Sequence, residues 1–103
     1  MEFYKFLQKV RNELQYGEVY IATHKDRSQV GKVLEILETY TDVQWQSGDL
    51  PTKVFYDGYT CLEIYQGSSN TSLMCFHSSM PPNRSHMFDA QDLIDQANVY
   101  MEV

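Results

Sequence analysis

The stretch from Thr60 to His77, TCLEIYQGSSNTSLMCFH, decides the fold. Its first part alternates through Leu62 and Ile64, and its last part, Ser72 to His77, alternates through Leu73, Cys75 and His77. A period of two is the spacing of a pleated strand and cannot be laid on one face of a helix. Between the two runs stand Gly67-Ser68-Ser69-Asn70-Thr71, five residues that favour turns. Two alternating runs joined by such a connection predict an antiparallel hairpin over Thr60–Tyr65 and Ser72–His77.

Moving outward toward the N-terminus, Val43 and Trp45 predict a short strand, closed by the turn-forming run Ser47-Gly48-Asp49-Leu50-Pro51. Before it, Val30, Val33, Leu34 and Leu37 recur at helical spacing as far as Tyr40, and Asp26 three residues ahead of Gln29 has the form of a capping box. Glu18–Thr23 alternates again, with Val19 and Ile21 on one side and Tyr20 and Ala22 on the other, and predicts a strand. The segment Glu2–Gln15 sets Phe3, Phe6, Leu7, Val10 and Leu14 on one helical face, and Gly17 is placed to end that helix.

Toward the C-terminus, two prolines in Met80-Pro81-Pro82-Asn83-Arg84-Ser85 lack the donors of a central strand, so this run predicts a loop. Asp89 is placed to cap a short helix carrying Leu93, Ile94 and Ala97, with Val99, Tyr100 and Met101 left for a last strand or a packed tail. The fold expected is α+β: a small antiparallel or mixed sheet packed by an N-terminal helix and a second amphipathic helix, with a short C-terminal helix.

A chain of 103 residues has room for one core, so a single domain over residues 1–103 is expected. Hydrophobic residues at 43% and aromatics at 14% are enough to fold without a metal or disulfide. The charged start MEFYKFLQKVRNEL lacks the apolar run of a signal peptide, and no stretch reaches the ~18 apolar residues of a membrane span. Two cysteines, Cys61 and Cys75, are too few for a disulfide scaffold. A cytoplasmic protein with reduced thiols is the expectation.

The net charge of −6 is uneven. From Val54 onward Arg84 is the only basic residue against Asp57, Glu63, Asp89, Asp92, Asp95 and Glu102, a net of −5. Such a surface repels nucleic-acid backbone, whose binders carry basic patches, and suits a protein partner with a basic surface. Asp89, Asp92 and Asp95 at i, i+3 and i+6 give an acidic stripe for that partner, and Tyr56 and Tyr59 add contact area at low entropy cost. The competing reading is an acidic face that keeps a small domain soluble.

Three other constellations bear on chemistry. His24, Lys25, Arg27 and Ser28 lie between a strand and a helix N-terminus, where free N–H groups favour an anion, so a phosphate or nucleotide is the alternative ligand. This loop lacks the glycines of the known phosphate cradles. Cys61, Cys75, His77 and His86 are zinc-ligand types, yet neither CxxC nor HxxxH spacing is present, so no metal or other cofactor is expected. A Cys75 nucleophile would need His77 or His86 within hydrogen-bond reach and a depressed thiol pKa, neither of which the spacing supplies. No catalytic residue is assigned, and the chain reads as leaning away from an enzyme.

The run VGKVLEILE, then VQWQSGDLP, then TCLEI, LMCFH and FDAQDLI resembles small proteins of bacteriophages and mobile elements. The residues that carry the resemblance are Trp45, Ser47, Gly48 and Pro51, a Trp-x-Ser-Gly-x-x-Pro segment after a strand–helix unit. It brings no catalytic residue with it. It implies a phage-type accessory or inhibitor protein that occupies a host macromolecule, such as the nucleic-acid site of a defence protein in the manner of an anti-CRISPR. A phage structural or regulatory subunit is the further alternative.

Overall fold

Strand β1 (Val19–Ala22) occupies an interior position of a five-stranded mixed sheet in the computed structural model, which describes residues 2–23, 27–54, 61–68, 71–77 and 87–101. The other strands are β2 (Gln44–Trp45), β3 (Cys61–Gln66), β4 (Ser72–His77) and β5 (Met87–Asp89), in the spatial order β2-β4-β3-β1-β5. The pairs β1–β3 and β3–β4 are antiparallel, whereas the short outer strands β2 and β5 add in parallel to β4 and β1. The helices are α1 (Glu2–Asn12), α2 (Arg27–Tyr40) and α3 (Ala90–Met101). The α+β class and the hairpin expected from the sequence are both present. Among the described residues no helix is long and apolar enough to cross a membrane.

Register fixes which side of the sheet is covered. Val19 stands opposite Ile64, Ile21 opposite Leu62, Ile64 opposite Met74, and Ile21 opposite Phe88. These side chains join Phe3, Phe6, Leu34, Leu37 and Leu93 of the helices in one buried core. Their burial contributes roughly 1.5–3 kcal/mol for each large side chain, the main term against chain entropy. The alternate residues Tyr20, Glu63, Tyr65, Leu73, Cys75 and His77 are only partly buried and form the sheet's open face. The sequence alternation of β4 ran through Leu73, Cys75 and His77, but Met74 and Phe76 supply its core side, because Ile64 and Leu62 stand opposite them.

Three further departures from the sequence reading have local causes. The first helix stops at Asn12 and tightens into a 3₁₀ turn over Leu14–Tyr16, with Gly17 N–H closing on the Leu14 carbonyl at 3.2 Å. Gly17 has φ 151° and ψ 154°, a conformation that side chains with a Cβ avoid. Met87–Asp89 forms a strand, too short to show a period of two and absorbed in the sequence by the helix start beside it. Val99 and the two residues after it continue α3 to Met101 and add neither a strand nor a separate tail. Asp26, the expected cap of α2, lies outside the described residues, as does the loop from Met80 to Ser85.

The Trp45–Pro51 segment is a self-bonded turn. Trp45 N–H donates to the Asp49 carbonyl at 2.9 Å and Gly48 N–H to the Trp45 carbonyl at 2.8 Å. Gly48 sits at φ 92°, Ser47 Oγ donates to Asp49 Oδ2 at 2.8 Å, and the buried indole N–H donates to the Pro51 carbonyl at 2.9 Å. All four residues of the Trp-x-Ser-Gly-x-x-Pro pattern therefore have a structural duty. Thr52 just beyond it donates from its hydroxyl and its amide to Glu38 of α2, which holds that carboxyl below its usual range.

Candidate functional site

A row of side chains crosses three strands on the open face. Tyr20 of β1 stands opposite Glu63 of β3, and Glu63 stands opposite Cys75 of β4. His77, two residues after Cys75, points to the same side and reaches diagonally to Glu63. Its Nε2 is 2.5 Å from Glu63 Oε1, and Cys75 Sγ lies 3.8 Å from that oxygen and 3.6 Å from Nε2. The Tyr20 ring is 6.5 Å from the His77 ring, tilted at 53°. Burial, with Glu63 beside it, raises the Tyr20 hydroxyl pKa.

This arrangement is not a nucleophile–base–acid relay. In such a relay one ring nitrogen faces the nucleophile and the other faces the carboxylate. Here Nε2 alone faces both Glu63 and Cys75. Burial first, and then the Glu63 charge, push the Cys75 thiol pKa up, which reduces the nucleophilic thiolate. The Cys61 thiol is likewise raised, chiefly by burial. Both cysteines are free.

The zinc-type residues weighed from the sequence therefore divide. Cys75 and His77 come together, Cys61 is buried opposite His77 without joining their cluster, and His86 lies outside the described residues. Glu63 is the member that sequence reading passed over. Its place follows from the hairpin register once Leu62 and Ile64 are set on the core side with Phe76 and Met74.

The acidic stripe is partly reassigned. Asp89 is not on a helix face but at the end of β5, where Oδ2 accepts from Gln91 N–H at 3.1 Å and Asp92 N–H at 3.3 Å. It is the N-cap of α3, and its charge lies at the positive end of the helix dipole. Asp92 and Asp95 are exposed on α3, with Asp95 Oδ1 accepting from Gln91 Nε2 at 2.9 Å. Asp89→Ala is expected to cost ~1 kcal/mol of stability as a lost cap, while Asp92→Ala should stay within ~0.5 kcal/mol. Urea unfolding of the two variants checks the assignment, and equal midpoints would remove it.

Tyr56, Tyr59, His24 and Lys25 lie outside the described residues. Arg27 opens α2, and Ser28 follows it, exposed in the first turn. Tyr65 accepts a hydrogen bond from Gln46 Nε2 at its hydroxyl, 2.6 Å away. No model of a known protein family, no curated protein and no solved structure matches the chain.

Proposed function

We propose that the protein is a non-catalytic binding module that docks through the acidic exposed side of α3 on a macromolecule with a basic surface, as an accessory or inhibitor. The observation that carries this reading is the segregation of charge. Among the described residues, Lys5, Lys9 and Arg11 stand on α1 and Lys53 on the Pro51–Lys53 turn, while α2 balances Arg27 and Lys32 with Glu35 and Glu38. The open-face positions of β1, β3, β4 and β5 and the exposed side of α3 carry Glu63, Asp89, Asp92 and Asp95, with no lysine or arginine. One-signed fields of this kind steer a partner of opposite sign and repel nucleic acid. The phage-like Trp45–Pro51 pattern sets the reading in a mobile element, where the partner is a host defence protein whose nucleic-acid site is covered.

The test captures partners from bacterial lysate on the immobilised protein, identifies them by mass spectrometry and measures their affinity. Asp92→Asn with Asp95→Asn should weaken binding several-fold while leaving the fold intact. Binding should also weaken as ionic strength passes ~0.1 M, where exposed charges more than ~10 Å apart are screened. A partner indifferent to both changes overturns the reading. So does a nucleotide that raises the melting temperature and loses that effect in Lys25→Ala with Arg27→Ala, which would place the ligand at the loop before α2.

A further inference from the structure

We propose that Glu63, Cys75 and His77 form a binding site for a zinc-class divalent transition metal on the open face of the sheet. The proposal is independent of any macromolecular partner. Its basis is the convergence of three different donor atoms, Glu63 Oε1, Cys75 Sγ and His77 Nε2, all within 4.8 Å of one another. A tetrahedral zinc centre sets a thiolate sulfur about 3.6 Å from an imidazole nitrogen or a carboxylate oxygen, and the nitrogen about 3.4 Å from the oxygen, from its usual bond lengths. The sulfur edges here are 3.6 and 3.8 Å, so two sides of the triangle already have the span of a coordinated site. The third, His77 to Glu63, is a hydrogen bond of 2.5 Å, and it lengthens by about 0.9 Å when a metal takes the place of the shared proton.

The donors are fixed by backbone. Glu63 and Cys75 are directly opposed in the central hairpin, and Cys75 and His77 are successive residues on one side of β4, so no loop has to order around the ion. One sulfur, one nitrogen and one oxygen select zinc and its neighbours over magnesium or calcium, which take oxygen alone. Glu63 is 19% and His77 43% exposed, which leaves a path for the ion and a fourth position open to solvent. On binding, the Cys75 thiol gives its proton to solvent, and the neutral His77 imidazole coordinates through Nε2 with its proton on Nδ1. The sequence expectation of no metal rested on missing local spacing; here the set is assembled across the hairpin, with Glu63 completing it in place of Cys61 or His86.

The test titrates the full chain with Co²⁺, followed by Zn²⁺ competition. One equivalent should bind and give visible d–d bands of tetrahedral intensity together with a near-ultraviolet thiolate-to-cobalt band, and Zn²⁺ should abolish both. Cys75→Ser should lose the thiolate band, His77→Gln and Glu63→Gln should each bind Co²⁺ at least about tenfold more weakly, and Cys61→Ala should retain the band. Circular dichroism checks that each variant is folded; if Cys75→Ser is not, His77→Gln decides by the same readout. The absence of a thiolate band in the native chain, its survival in folded Cys75→Ser, or unchanged affinity in both His77→Gln and Glu63→Gln overturns the proposal.

Discussion

Trp45→Ala is expected to lower the free energy of unfolding by ~3–5 kcal/mol, a large share of the ~5–15 kcal/mol available to a domain of this kind. Trp45 is 5% exposed, and its ring centroid lies 4.8 Å from that of Phe76. Truncation removes that packing and also leaves the buried Pro51 carbonyl without the indole N–H that now reaches it. The two losses separate with Trp45→Phe, which restores an aromatic ring but no donor and should retain a deficit of ~1–3 kcal/mol from the unpaired carbonyl. Chemical denaturation followed by circular dichroism measures both. A Trp45→Ala midpoint equal to that of the native protein would move the tryptophan out of the core and into a binding surface.

Phe6→Ala should be as severe, also ~3–5 kcal/mol, for a different reason. The Phe6 ring is fully buried, 6.5 Å from Phe3 and 5.4 Å from Phe88 in an edge-on contact at 75°. It fastens α1 to the outer strand β5, and its removal opens a cavity between elements that are distant in the chain. At ~4–8 °C per kcal/mol for a domain near this size, the melting temperature should fall by well over ~10 °C. Tyr4→Ala two residues away is the control, because Tyr4 is 59% exposed and should shift stability by no more than ~0.5 kcal/mol. Similar losses from both variants would mean that α1 is not seated as described.

The parts of the fold legible in the sequence are those whose period is long enough to count. Phe3, Phe6, Leu7 and Val10 give α1, Val30, Val33, Leu34 and Leu37 give α2, and the alternation around Gly67–Thr71 gives the hairpin. What local pattern does not contain is the cross-strand register. Leu73 and Met74 are both apolar, and only the pairing of Ile64 with Met74 decides which one turns inward. The same register sets Glu63 beside Cys75 and His77, so the candidate site was invisible wherever chemistry was sought in linear spacing. Met87–Asp89 escaped because a three-residue strand gains its identity from the neighbour it pairs with, here Tyr20–Ala22. Asp89 was legible as a cap from its position alone, and that role removes it from the acidic stripe that linear spacing had drawn.

The interior place of β1 bears on how the protein is born. Val19–Ala22 precedes both of its sheet neighbours in the chain, β3 by about forty residues and β5, the last strand among the described residues, by more than sixty. The amide of Phe3 likewise waits for the Gln96 side chain, which accepts from it at 2.6 Å. Until Phe88–Ala97 has emerged, one edge of β1 lacks its β5 partner and Phe6 lacks its contact with Phe88. Contacts of such long sequence separation close late and at high entropic cost. The sheet is therefore completed only once β5 and α3 have been translated.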